Sequence, residues 1–267
     1  MFINNIYIKK NFSLNHNKNV PVLIFLHGFM GSSFLWNGIC QSLQKEYKII
    51  SIDLPGHGKS IYKIKKEVIS MEWMADVLKN IIEALFIKKA IFIGHSMGGY
   101  ISLAFAEKYP EILLGLCLLH STAKKDSFKK MKQRVQSIRM VKSNYYSFIN
   151  QIVPKWFNQK TIFFLKKEIS LTKKIAYSTN QHSVISFLKG MIIRNDREFL
   201  LKKKLFPKLY IFGIYDSILE EKEIDEETKN GYRTYVEKIY TGHMGHVEKP
   251  EVIKNILSSF INQCISG

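Results

Sequence analysis

The chain has 267 residues, 46% of them hydrophobic and 13% aromatic, which is enough apolar material for one large core or two small ones and excludes a disordered chain. Its apolar runs, such as residues 20–26 and 116–119, fall far short of the roughly 20 residues a membrane helix needs, so no membrane span is expected. The three cysteines, Cys40, Cys117 and Cys264, are odd in number and far apart, and residues 1–5 have neither a basic leader nor an apolar signal core; both features lead us to expect a cytoplasmic protein without a disulfide scaffold.

In chain order, residues 22–26 form a continuous apolar run ending at His27-Gly28, and residues 49–52 form a second one running into Asp53-Leu54-Pro55-Gly56. Unbroken apolar strands suit a parallel sheet covered on both faces. Met71, Met74, Ala75, Leu78, Ile82 and Leu85 then recur at three- and four-residue spacing, which predicts a helix. Residues 90–93 read as a strand leading into Gly94, followed by a helix from about Gly99 to Lys108 that Pro110 stops, and by a buried strand over 112–119.

From Ser121 to about Leu205 only helical periodicity is visible, rich in Lys and aromatics. The strand–helix rhythm resumes at 209–212 and 234–239 and closes with a helix begun by Pro250. The expected fold class is therefore α/β: a mostly parallel sheet with helices on both faces, residues 1–120 and 206–267, interrupted by a helical insertion over 121–205.

That insertion also holds the charge. The net +18 comes from 40 basic and 22 acidic residues, and residues 124–208 alone carry 21 basic and four acidic ones. Such a segment could meet an anionic partner, but the chain has 35 Lys and only five Arg, whereas base readout and bidentate phosphate recognition favour Arg. No nucleic-acid partner is expected, and a solvated Lys-rich surface is the simpler reading.

Chemistry is concentrated in Gly94-His95-Ser96-Met97-Gly98-Gly99, directly after a strand and before a helix. That context makes G-x-S-x-G a nucleophile elbow: the turn exposes a hydroxyl at a helix amino terminus, where the Met97 N–H can face an oxyanion. A serine hydroxyl needs a base to take its proton and a carboxylate to orient that base. His243 follows the last strand and Asp216 follows strand 209–212, and Ser96, Asp216, His243 is the chain order of such sites.

Five motifs in order resemble the α/β-hydrolase fold superfamily over nearly the whole chain: His27-Gly28-Phe29-Met30-Gly31-Ser32, Asp53-Leu54-Pro55-Gly56-His57-Gly58-Lys59-Ser60, the serine elbow, Gly213 to Asp216, and Gly242-His243 with Glu248-Lys249-Pro250-Glu251. The resemblance implies that Phe29 supplies a second oxyanion N–H beside Met97, that the insertion is a lid shaping the substrate pocket, and that neither metal nor organic cofactor is needed. Phe29, Tyr146 and Trp156 are the candidate substrate-binding residues. His246 competes with His243 as base, but Gly242-His243 is the family's usual position. Read as a metal pair, the two histidines lack a nearby third ligand. Some members place the acid after the sixth strand, where this chain reads Leu119-His120-Ser121-Thr122 with no carboxylate before Asp126, which favours Asp216.

His27 and His57 are expected to hold loop hydrogen bonds, His95 to order the elbow, Asp53 to cap its loop, and the acidic run from Glu220 to Glu227 to form a solvated helix face, with an electrostatic clamp on the basic insertion as the weaker idea. The expected activity is serine hydrolysis of small or medium acyl substrates, most simply carboxylic esters. Two alternatives stand beside it. One is the menaquinone-pathway lyase, which the chain also resembles, although Tyr100 stands where that family usually has an arginine after the double glycine. The other is a non-enzymatic binding module.

Overall fold

The computed structural model describes residues 1–11, 20–61 and 66–266. Among them, eight strands form one sheet in the order β1 (Phe2–Ile3), β2 (Ile6–Asn11), β4 (Lys48–Ile52), β3 (Val22–Leu26), β5 (Ala90–His95), β6 (Leu113–Leu119), β7 (Lys208–Gly213), β8 (Thr234–Ile239). β1 and β2 pair antiparallel; every pairing from β4 to β8 is parallel. Alternation along the strands divides the core. Ile24, Leu26, Phe92, Leu116, Leu118, Tyr210 and Phe212 face one side, while Leu23, Phe25, Ile91, Ile93, Cys117, Leu119, Leu209 and Ile211 face the other. Both sides are covered, so the central strands are apolar at every position rather than at every second one.

One cover is α1 (Asn37–Leu43) with α11 (Pro250–Ser266), which contributes Ile253, Leu257, Phe260 and Ile261. The other is α2 (Met71–Ala84) with α3 (Met97–Lys108). Ser70 caps α2 by accepting from the Trp73 N–H at 3.1 Å. The helix after the elbow starts at Met97, two residues earlier than expected, and residues 97–106 are buried all round because α3 lies between the sheet, α2 and the helical segment. Each fully buried aliphatic side chain here contributes about 1.5–3 kcal/mol.

Residues 121–205 contain no strand among the described residues and fold as α4 (Phe128–Ser143), α5 (Tyr145–Ile152), α6 (Lys166–Ser178), α7 (Gln181–Ile192) and α8 (Phe199–Lys202). Arg197, almost fully buried, fastens this segment to the core by donating to Glu107 of α3 at 2.9 Å and to Glu72 of α2 at 2.6 Å. After β7 come α9 (Glu221–Thr228), β8 and the short α10 (Gly245–Glu248). The expected solvated face of α9 holds for most of its acids but not for Glu227. That side chain is buried, and it accepts from the Ala123 N–H at 2.8 Å, from the Tyr210 hydroxyl at 2.6 Å and from the Thr122 hydroxyl.

Candidate active site

Six neighbouring parallel strands or their following loops each deliver a polar residue to the carboxyl edge of the sheet, where open α/β sheets place their ligands. His27 follows β3, Asp53 follows β4, Ser96 follows β5, His120 follows β6, Asp216 lies beyond β7 and His243 beyond β8. Ser96 has φ 49° and ψ −114°, a region an L-residue enters only under constraint. The constraint is steric. A Cβ on Gly94 would stand 2.5 Å from the Gly98 carbonyl oxygen, and one on Gly98 would overlap the Leu26 carbonyl, so only glycines let strand and helix meet this closely.

The strained turn aims the Ser96 hydroxyl at His243. Ser96 Oγ–H donates to His243 Nε2 at 2.9 Å, and His243 Nδ1–H donates to Asp216 Oδ2 at 2.7 Å. The His243 loop is gripped from two sides: its N–H donates to the Trp156 carbonyl at 2.6 Å, and its own carbonyl accepts from His95 Nε2–H at 2.9 Å. The first of these contacts comes from the helical segment.

Asp216 is buried, which alone would push its carboxyl up, yet the charge and hydrogen bond of His243 and the hydrogen bond from His120 hold it well below the usual carboxylate range. His120 donates from Nδ1 to Asp216 Oδ2 at 3.2 Å while its Nε2 accepts from the Gly245 N–H at 3.2 Å, a network that fixes the tautomer. Sequence reasoning considered this position only as the site of a missing acid; the histidine there instead supports the acid one strand over. His120, Asp216 and His243 are also the one trio among the described residues with metal-ligand spacing, but both ring N–H groups converge on a single carboxylate oxygen, an arrangement for sharing protons.

The loop bearing Phe29 lies against the serine: a Cβ on Gly28 would stand 3.3 Å from that of Ser96. Met97 buries its side chain in the core, and its N–H belongs to the first turn of α3, where helix donors lack intrahelical partners. His27, His57 and His246 make contacts within loops and core instead of to Ser96. His27 accepts from the Leu54 N–H at 2.9 Å and donates to the Gly28 carbonyl at 2.8 Å, and burial pushes it down to about 4. His57 donates to the Pro55 carbonyl at 3.1 Å and is pushed down to about 3, again chiefly by burial. Asp53 fastens its loop by accepting from the N–H groups of Ser33 at 2.6 Å and Lys59 at 2.8 Å. His246 is buried against tilted rings, with its ring centre 4.2 Å from that of His95 and 4.6 Å from that of Trp36, and it makes no hydrogen bond to Ser96.

A cavity of about 600 Å³ opens onto Ser96 and His243 and is walled by the helical segment, including Met140, Phe148, Trp156, Leu188 and Met191. Phe29 and Trp156 line it as expected; Tyr146 does not. Tyr146 is 65% exposed and packs on Tyr177, because α5 turns Phe148 and Ile149 inward and leaves position 146 on its outer side. Its neighbour Tyr145 turns in and donates to the Ala176 carbonyl at 2.8 Å. The cavity also contains a residue the sequence did not single out, Arg134.

The geometry and the comparisons define the class: the chain matches the alpha/beta hydrolase fold family over residues 21–250 and belongs to it. It is an α/β-fold hydrolase. It is 31% identical over 226 residues to the pimeloyl-[acyl-carrier protein] methyl ester esterase of Wigglesworthia glossinidia brevipalpis, covering 76% of this chain and 77% of that protein. It is 25% identical to the uncharacterized hydrolase YugF of Bacillus subtilis, covering 92% and 91% of the two chains. Among solved structures, a thermophilic esterase from Thermogutta terrifontis with malate bound superposes with a TM-score of 0.87 at 26% identity, covering 97% of this chain and 93% of that one. No helix among the described residues is long and apolar enough to cross a membrane.

Proposed function

We propose that the protein hydrolyses small or medium carboxylic esters through an acyl-enzyme on Ser96. The observation that carries this reading is the continuous hydrogen-bonded chain from Ser96 through His243 to Asp216 at the base of a cavity with mixed apolar and polar walls. His243 takes the Ser96 proton as Oγ attacks the ester carbonyl, and the Phe29 and Met97 N–H groups hold the oxyanion. Collapse of the tetrahedral intermediate expels the alcohol, which leaves with the proton from His243. Water then attacks the acyl-serine, giving its proton to His243, and the carboxylic acid departs as Ser96 recovers its proton. Asp216 keeps His243 in the working tautomer and stabilises its charged form. Residues 121–205 act as the lid that shapes the pocket. The three cysteines are unpaired and buried, in keeping with a cytoplasmic setting.

The esterase relatives favour ester hydrolysis over pyruvate elimination, and Tyr100 after the double glycine favours it again. The test is labelling by a fluorophosphonate probe together with turnover of a short acyl-ester panel, wild type against Ser96→Ala. Expected is labelling that vanishes in the variant and a fall in kcat of about 10⁴-fold or more with the fold retained. A folded wild type that neither labels nor turns over any ester would overturn the reading.

A further inference from the structure

The helical segment places one group in the cavity that ester hydrolysis by itself does not require. Asp126, with no side-chain exposure, lies between two guanidinium groups. Arg134 donates to it from Nε, and from Nη2 at 3.2 Å; Arg194 donates to it from Nη1 and gives its Nη2 to the Lys124 carbonyl at 2.6 Å. Arg194 is 3% exposed and lies over the Tyr100 ring at 4.0 Å. Two cations therefore share one carboxylate, and the wall carries one uncompensated positive charge in a desolvated setting, a costly arrangement unless another anion completes it.

Of these two arginines Arg134 lines the cavity, with 19% of its side chain exposed. Its Nη1 edge faces the Met191 thioether at 3.2 Å, and the Tyr100 hydroxyl lies near the guanidinium. A thioether is a weak acceptor, so this edge keeps strong donors to offer in a fixed fork. Tyr100 stands one helical turn beyond Ser96 on α3 and lines the same cavity, which puts the guanidinium on the nucleophile's own wall. Met30, Leu188 and Met191 give the same cavity apolar lining. The other charged groups of the cavity are the acids Asp216, Glu220 and Glu223 and the lysines Lys129, Lys130 and Lys155; Asp216 is held by His243, and Glu223 is paired with Lys130 at 2.9 Å.

We propose that the cavity selects esters carrying a second, anionic end: an aliphatic chain whose carbonyl sits at Ser96 and whose far carboxylate is held by Arg134. Asp126 and Arg194 orient that guanidinium and do not touch the ligand. The inference rests on the hydrolase reading and adds a substrate class to it.

The test compares two substrates that differ only in charge, the mono-p-nitrophenyl ester of adipic acid and the same ester with its far carboxylate replaced by a primary amide. Wild type is expected to favour the acid by about ten-fold or more in kcat/KM. Arg134→Gln should bring that ratio to about one, and Arg134→Lys, which keeps the charge but loses the fork, should recover part of it. Lys132→Gln on the same helix, at an exposed position, controls for general attraction of anions to a basic surface and should leave the ratio unchanged. Should Arg134→Gln fail to fold, competition decides in wild type: free adipate must inhibit turnover of the amide ester more strongly than adipamide does. Equal turnover of both esters by wild type, a preference that survives in folded Arg134→Gln, or two inert esters despite phosphonate labelling of Ser96 would each overturn the subsite. The first two leave the hydrolase reading standing, whereas loss of both turnover and labelling removes that reading and the subsite with it.

Discussion

The carboxyl edge of the sheet and the helical segment above it are built on opposite plans. At the edge, each functional side chain is fixed by the register of its strand, and its partners come from the loops of neighbouring or nearby strands: Asp216 meets His120 and His243 from the strands on either side, and His243 reaches back across the edge to Ser96. In the segment, α4 turns most of its lysines to solvent, and its charged core contact is the cluster of Asp126, Arg134 and Arg194. A sheet edge fixes its side chains through strand register, whereas a helical segment tolerates change at positions away from its contacts with that edge. The two meet at residues 155–158, where the Trp156 carbonyl holds the His243 N–H and the Lys155 carbonyl accepts from the Ser217 hydroxyl at 2.6 Å.

If the edge is the rigid partner, its largest sensitivity should lie in the acid that orients the base. Asp216→Asn keeps the shape but presents an amide to two ring N–H groups, so His243 is turned to the wrong tautomer. The expected loss in kcat is on the order of 10³–10⁴-fold with near-normal stability, read by steady-state kinetics beside thermal unfolding. A loss under ten-fold would mean that the strand ends do not set the base.

Acid should also strike the edge first. His27 and His57 are buried neutral, with folded values pushed down to about 4 and about 3, whereas the unfolded chain protonates near 6.5. Between those values the unfolded state binds more protons, so stability is present above about pH 6.5 and is lost as pH falls. Each histidine contributes up to about 1.4 kcal/mol per pH unit in that window. Asp216, held down when folded, adds its own loss only once pH falls below the ordinary carboxylate value near 4. Denaturation midpoints should therefore hold between pH 8 and about 6.5 and fall steadily from there to pH 5; a profile flat across the lower range would show that the histidines are not buried neutral.

This division explains what was legible in the sequence. Strands 22–26 and 90–93 stood out because burial on both faces demands unbroken apolar residues, and the elbow stood out because the contacts at Gly94 and Gly98 forbid a Cβ. The order of Ser96, Asp216 and His243 follows from topology alone. Facing is a different matter: Tyr145 and Tyr146 are adjacent and chemically alike, and only packing decides which one turns in. Arg134 lay hidden in a run of basic residues, although an Arg among lysines, eight residues after a lone Asp126, was a signal that could have been used.

Glu227 was misread for the same reason, since nothing local in Glu-Lys-Glu-Ile-Asp-Glu-Glu-Thr marks the inward acid except its position beside Ile224 and Thr228 on one face. It ties residues 122 and 123, where the helical segment begins, to β7 and α9. Glu227→Ala strands three donors and should cost about 2–4 kcal/mol in denaturant unfolding. Glu227→Gln should stay within about 1 kcal/mol, because burial already pushes this carboxyl up and the amide oxygen can keep Ala123 and Tyr210 while its nitrogen donates to Thr122. Equal losses in the two variants would assign the effect to charge and not to the stranded donors.

The smallest effect belongs to the charged contacts that join the two regions at the surface. Lys130 of α4 meets Glu223 of α9 at 2.9 Å, but the side chains remain 25% and 38% exposed. Screening and side-chain entropy cancel most of the attraction in such pairs, so Lys130→Gln should change stability by less than about 1 kcal/mol, and by less still in high salt. Arg197 differs in that its own side chain is only 2% exposed, although its partners Glu72 and Glu107 are 33% and 38% exposed, so the guanidinium cannot be released to water without a partner. If Lys130→Gln instead loosened the segment measurably, as faster hydrogen exchange across α4 at unchanged global stability, the acidic helix would be a working clamp and the cavity wall would owe its position to the surface as well as to the core.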